Sequence, residues 1–97
     1  MSKASDDVLA ERQRQITVEG YDADHDATHA EPAALARAAG CYVLYADAYP
    51  NEGQPPPQWP WSDDFWKPKG YRRDLVRAGA LIIAEIERID RAFSEDK

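Results

Sequence analysis

The chain has 97 residues, a formal charge of −6 and a pI near 4.8. A single domain of this size buries only about 60–65% of its unfolded surface, and an acidic balance excludes a general nucleic-acid binder, which needs a basic face to neutralise phosphates. The one cysteine, Cys41, excludes an intramolecular disulfide, no apolar run reaches the ~18 residues of a membrane span, and no signal peptide is evident, so the expectation is a single helical domain in the cytoplasm with no membrane role.

In chain order, residues 1–4 are expected to be disordered, with Ser5 as an N-cap and Asp6 and Asp7 in the first helical turn, where the helix dipole favours acids. This first helix ends at Gly20 and has few apolar positions, chiefly Val8, Leu9 and Ile16, so it can cover a core without building one. Arg12, Gln13, Arg14 and Gln15 put a guanidinium or amide on every side of it, so at least one faces the protein. The segment Glu19–Pro32 follows, and Asp22, Asp24, His25, Asp26 and His29 crowd within it. A calcium loop starting at Asp22 fails, because Ala27 stands where glycine is needed and Ala33 where the bidentate glutamate is needed. The spacing of His25 and His29 alone does not make a zinc site, and Asx-turns, a helix cap and histidine hydrogen bonds account for such residues; no metal or cofactor is expected.

The second helix is predicted from Glu31-Pro32 through Tyr49, with Arg37 and Asp47 as the charged residues from Ala33 onward. Ala34, Ala38, Ala39 and Gly40 permit a close helix approach, while Tyr42, Tyr45 and Tyr49 could line a pocket with their polar tips. Residues 50–70 form a loop holding most of the prolines and all three tryptophans, a composition that excludes regular helix and sheet yet is not that of a passive linker. Trp59, Trp61, Phe65 and Trp66 either fold back as a lid over the core or provide a stacking wall beside Lys67, Lys69, Arg72, Arg73 and Arg77. Cations gathered at a helix N-terminus oppose the dipole, so they call for an acidic neighbour, such as the 22–26 segment, or a phosphorylated ligand.

Pro68 and Gly70 mark the start of the third helix, on which Leu75, Ala78/Gly79, Ile82, Ile86, Ile89 and Phe93 share one face. The stretch from Ala78 to Ala84 has no polar side chain and should be buried on more than one side; Gly79 suggests a close backbone neighbour, and residues 94–97 are expected to fray. The whole reads as an all-α domain of three helices, the last two an antiparallel pair joined by the Pro/Trp loop. Its excess of apolar helix surface implies a homo-oligomer, dimer or larger.

The succession ERQRQITVEGYDADHDATH, an Ala-rich helix, then PPQWPWSDDFWKPKGYRRDLVRAGALIIAEIERIDR resembles a family of small phage and prophage proteins of mostly unassigned function, also found as the C-terminal module of larger early-region phage proteins. Tyr21 and the Phe65-Trp66 pair stand where that pattern has tryptophans, and the replacements remain aromatic. A fainter similarity is to MazG-like all-α nucleoside triphosphate pyrophosphohydrolases. It implies a nucleotide-pocket scaffold without the catalytic metal, because the second helix lacks the paired acids and Asp74 is followed at i+3 by Arg77.

Three functions fit these residues. The preferred one is a non-catalytic, anti-defence phage protein that sequesters a small phosphorylated nucleotide-type ligand, such as an immune signalling molecule. Its ligand-binding residues would be Arg12, Gln15, Tyr21, His25, Trp59, Trp61, Trp66, Lys67, Lys69, Arg72 and Arg73, with no catalytic residue. The second is an accessory factor whose Trp-rich loop inserts into a host protein. The third is a nucleotide hydrolase using His25, Asp26 and His29.

Overall fold

The computed structural model describes residues 2–17 and 33–95, and among these the chain is all-helical, with no strand. Helix α1 spans Lys3–Thr17, α2 spans Ala34–Tyr45 and α3 spans Tyr71–Glu95, and a turn of 3-10 helix over Asp63–Phe65 interrupts the Pro/Trp loop. Helix α3 is the spine, since α1 and α2 both pack against it.

Capping chemistry moves two of the expected boundaries. Ser2 rather than Ser5 caps α1: its Oγ accepts the backbone N–H of Ser5 at 3.1 Å, so Lys3 and Ala4 are already helical. Ala33, with φ 64°, holds a left-handed conformation that no helical residue shares, and α2 therefore starts at Ala34. After Tyr45 the chain leaves α2 through a last turn in which the Tyr45 carbonyl accepts the N–H groups of Ala48 and Tyr49. Gly70, at φ 118°, precedes α3, and buried Asp74 reaches back to accept the Lys69 N–H at 2.9 Å, an acid placed where the helix dipole favours it. The helix then runs through residues 94 and 95.

Small α2 residues and tryptophan rings build the core. Leu35, Ala38, Ala39, Cys41, Tyr42 and Ala46 meet Ala78, Leu81 and Ala84 of α3, and Trp59 and Trp66 fill the remaining volume. Trp66 is fully buried, stacks on Tyr42 at a centroid distance of 4.8 Å and donates from Nε1 to the Tyr49 carbonyl at 2.9 Å. Together with the bond from Gly53 N–H to the Trp66 carbonyl, this ties the two ends of the loop to each other. Trp59 adds edge-on contacts to Tyr42 at 5.6 Å and Trp66 at 5.0 Å, so two of the three tryptophans form the lid over the core. Cys41 is buried, and burial pushes its thiol up, as expected of a small hydrophobe.

The large side chains of the shared face of α3 stay exposed, while its Ala78 joins the core. Leu75, Ile82, Ile86, Ile89 and Phe93 are 37%, 46%, 52%, 48% and 70% exposed, whereas Ala78, Ala80, Leu81 and Ala84 are buried. The apolar Ala78–Ala84 stretch does bury on more than one side, and it does so through its small residues. Alanines let α2 approach closely and leave room for indole rings, which a row of isoleucines on the same side would occupy. Gly79 serves a side chain rather than a backbone: a Cβ there would lie 3.2 Å from Val8 Cγ2, so the glycine seats α1 against α3.

Candidate functional site

Helix α1 docks through polar groups. Its buried residues are Glu11, Arg12 and Gln15. The Glu11 side chain is 1% exposed; Arg14 donates to both of its carboxylate oxygens at 2.8 Å, Arg73 of α3 donates to Oε1, and Gln15 Nε2 donates to Oε2 at 3.3 Å. Burial by itself raises the pKa of this carboxyl, but the two guanidiniums outweigh it and hold the group below the usual carboxylate value. One turn earlier Asp7 accepts from Lys3 at 2.8 Å and pairs with Arg72 at 2.9 Å, and those contacts lower its pKa too. Among the described residues, the α1 acids Asp7 and Glu11 are thus the partners of Arg72 and Arg73 in the basic cluster. The 22–26 segment proposed for that role lies outside the described residues, as do Tyr21, His25, Asp26 and His29.

Around Glu11 and Arg14 two recesses adjoin. One is an aromatic slot walled by Tyr42, Trp59, Trp61 and Phe65, with Lys67 and Arg77 on its cationic side and Gln15 and Leu81 at its floor. Trp61 meets Trp59 edge-on at 5.4 Å, and the Trp59 indole N–H is fixed by the Ser62 carbonyl at 3.0 Å. Arg77 lies 5.8 Å over the Tyr42 ring, donates to Tyr42 Oη at 3.4 Å and donates to the Lys67 carbonyl. Burial pushes the Tyr42 phenol up, so it stays protonated as a hydrogen-bonding group. The slot is closed down to ≈ 20 Å³, about the room of one water. Two buried polar atoms of its lining residues, Gln15 Oε1 and Arg77 Nε, have no hydrogen-bond partner among the described residues.

The second recess is an open groove of ≈ 420 Å³ between α1 and α3, lined by Asp7, Ala10, Glu11, Arg14, Arg72, Arg73 and Val76. Glu11 and Arg14 line both recesses, so slot and groove are neighbours. A further hollow of ≈ 520 Å³ on the loop, between Tyr49, the Pro55–Pro57 run, Trp59 and Asp63, has no cationic side chain in its wall.

The structure therefore brings together Gln15, Trp59, Trp61 and Lys67 in the slot and Arg72 and Arg73 in the groove. Other expected ligand residues lie elsewhere. Arg12 donates to Glu87 of α3 at 3.0 Å, Lys69 pairs with Glu52 on the loop, and Trp66 is sealed inside the core. Glu11, Arg14, Tyr42, Phe65 and Arg77 complete the two recesses. The signal for Glu11 and Arg14 lay in the row ERQRQ, where an acid amid cations on a helix with few apolar residues implies polar docking.

Among the described residues no group of three or more His, Cys, Asp and Glu side chains could hold a metal ion, and no helix is long and apolar enough to cross a membrane. Compared with protein-family models, with curated proteins and with solved structures, the chain matches none.

Proposed function

We propose that the protein binds and sequesters a small phosphorylated nucleotide-type ligand without turning it over, the base entering the aromatic slot and the phosphates lying in the arginine groove. The observation that carries this reading is that Glu11 and Arg14 line both recesses, so the aromatic slot and the arginine groove lie on either side of one shared wall. Base stacking on an aromatic side chain contributes about 1–3 kcal/mol, and arginine supplies charge-assisted bonds to phosphate. Because the slot holds about one water, ligand entry must displace the turn carrying Trp61 and half-exposed Phe65. The likeness to small phage proteins suggests a phage-encoded, anti-defence role in the host cytoplasm, with α2 and α3 as an antiparallel hairpin in a homo-oligomer.

Titration of tryptophan fluorescence with cyclic dinucleotides and nucleoside triphosphates, with chromatography of each mixture, tests the reading. Saturable quenching with the nucleotide recovered intact is expected. Arg72→Ala, which removes an exposed cation paired with Asp7, should weaken binding by about 10-fold, and Trp61→Ala by about 10- to 100-fold, while both variants keep the helical fold. Unchanged affinity in both folded variants removes the site. Recovery of hydrolysis product would favour the nucleotide-hydrolase reading instead. A ligand-blind protein that retains a host partner through Trp61 and Phe65 would favour the accessory-factor reading.

A further inference from the structure

We infer that the outward face of α3 is a self-association seam, on which two copies of this chain pair antiparallel through Ile82, Ile86, Ile89 and Phe93. This inference is independent of the ligand reading.

Spacing is the first support. From Leu75 the positions 79, 82, 86, 89 and 93 alternate steps of four and three, the 3.5-residue period of helices that pack along a common seam. Val8 of α1 covers the seam at Gly79, and the part that the described residues leave uncovered runs from Ile82 to Phe93. Leu9 of α1, 46% exposed, supplies further apolar surface on the docked helix. At roughly 100 Å² for each half-exposed aliphatic chain and more for Phe93, the patch amounts to about 500 Å². That is near the upper end for a monomer and more than half of the ~800 Å² per partner in a standard interface.

Composition and charge select a second copy of this chain as the occupant. Residues 18–32 of the same chain contain Val18 and Tyr21 as their large apolar side chains, followed by acids, two histidines and small residues, which is too little to cover four large apolar positions. A second copy brings an identical row. Orientation follows from the flanks: on the seam's heptad the two flanking positions hold Asp90 and Glu85, the latter accepting from Arg88 at 2.6 Å with its side chain 13% exposed. In a parallel pair each Glu85 would lie beside Asp90 of the partner subunit, five residues along, on both sides of the seam. In an antiparallel pair centred between 87 and 88, Ile82 faces Phe93 of the partner subunit and Ile86 faces Ile89 of the partner subunit. The flanking acids then lie beside Ala92 and Ile83 instead. Turning one helix around removes the like-charge contacts and opposes the helix dipoles.

Sedimentation analysis of the purified full chain from 1 to 200 µM is the test. The wild type should sediment as a dimer or a multiple of it. Ile86→Glu, a change at a half-exposed position, should weaken association at least 100-fold while its helical circular dichroism is unchanged. If that variant loses its fold, Ile89→Ser is measured the same way. A wild type that is monomeric at 200 µM, or folded variants that associate as tightly as the wild type, overturn the seam. Seam variants that stay monomeric like a monomeric wild type but melt earlier would assign the face to the chain's own residues 18–32, and would equally overturn it. For orientation, in a Cys41→Ala background, Ile82→Cys mixed with Phe93→Cys should give an oxidised heterodimer. Efficient self-cross-linking of Phe93→Cys alone overturns the antiparallel arrangement.

Discussion

Trp66→Ala should unfold the protein at or near physiological temperature. The ring is fully buried, and its removal takes away the stack on Tyr42, the edge contact with Trp59 and the Nε1 bond to the Tyr49 carbonyl in one step. Truncating a large buried aromatic costs about 3–5 kcal/mol, against a total of about 5–10 kcal/mol for a domain of this length. The corresponding fall in melting temperature is on the order of 20 °C. Trp66→Phe keeps most of the packing and loses the indole hydrogen bond, so it should cost about 1–3 kcal/mol. Urea unfolding of the three proteins decides it. A Trp66→Ala variant that melts within a few degrees of the wild type would mean that the loop is not part of the core.

Removal of Glu11 should have the second largest effect on stability. Glu11→Ala leaves Arg14 and Arg73 facing each other without the carboxylate between them and frees Gln15, all at the contact of α1 with α3. Breaking a buried ion pair from one side costs about 3–5 kcal/mol; because Arg14 and Arg73 are each about one-third exposed, solvent recovers part of this, and about 2 kcal/mol is expected. The folded-state pKa of Glu11 is depressed, so its contribution is fully present above the ordinary value of 4.5 and is lost as pH falls through the folded value. Melting measured from pH 7 to pH 3 should therefore fall less steeply on the acid side in Glu11→Gln than in the wild type. Parallel curves for the two would remove Glu11 from the linkage.

Much of this architecture is legible from residue patterns. Pro68 and Gly70 announce the start of α3, the alternation of Pro and Trp announces an irregular segment that must still bury rings, and Ala34, Ala38 and Ala39 announce a close helix contact, all of which the described residues display. The docking of α1 was less legible, because a search for apolar periodicity passes over a helix whose buried residues are Glu11, Arg12 and Gln15. Site residues divided in the same way. Trp61 and Lys67 lie in the slot, but the stretch that supplied them also supplied Trp66 and Lys69, which it could not distinguish from them.

Sequence alone determined the order and approximate extent of the helices, that α3 carries a row of large apolar residues, and that the cations from Lys67 to Arg77 needed an acidic or anionic counterpart. Local propensity and period are properties of consecutive residues, and they need no knowledge of what lies across the gap. Tertiary structure alone decided which face of α3 turns inward, that Asp7 and Glu11 pair with Arg72 and Arg73 while Glu52 pairs with Lys69, and that an aromatic slot and an arginine groove share a wall. These outcomes depend on the volumes and charges of side chains distant in sequence: alanines admit α2 and the indoles on one side of α3, while Gly79 admits Val8 of α1 on another. The isoleucine row is left facing solvent because the smaller residues pack more closely.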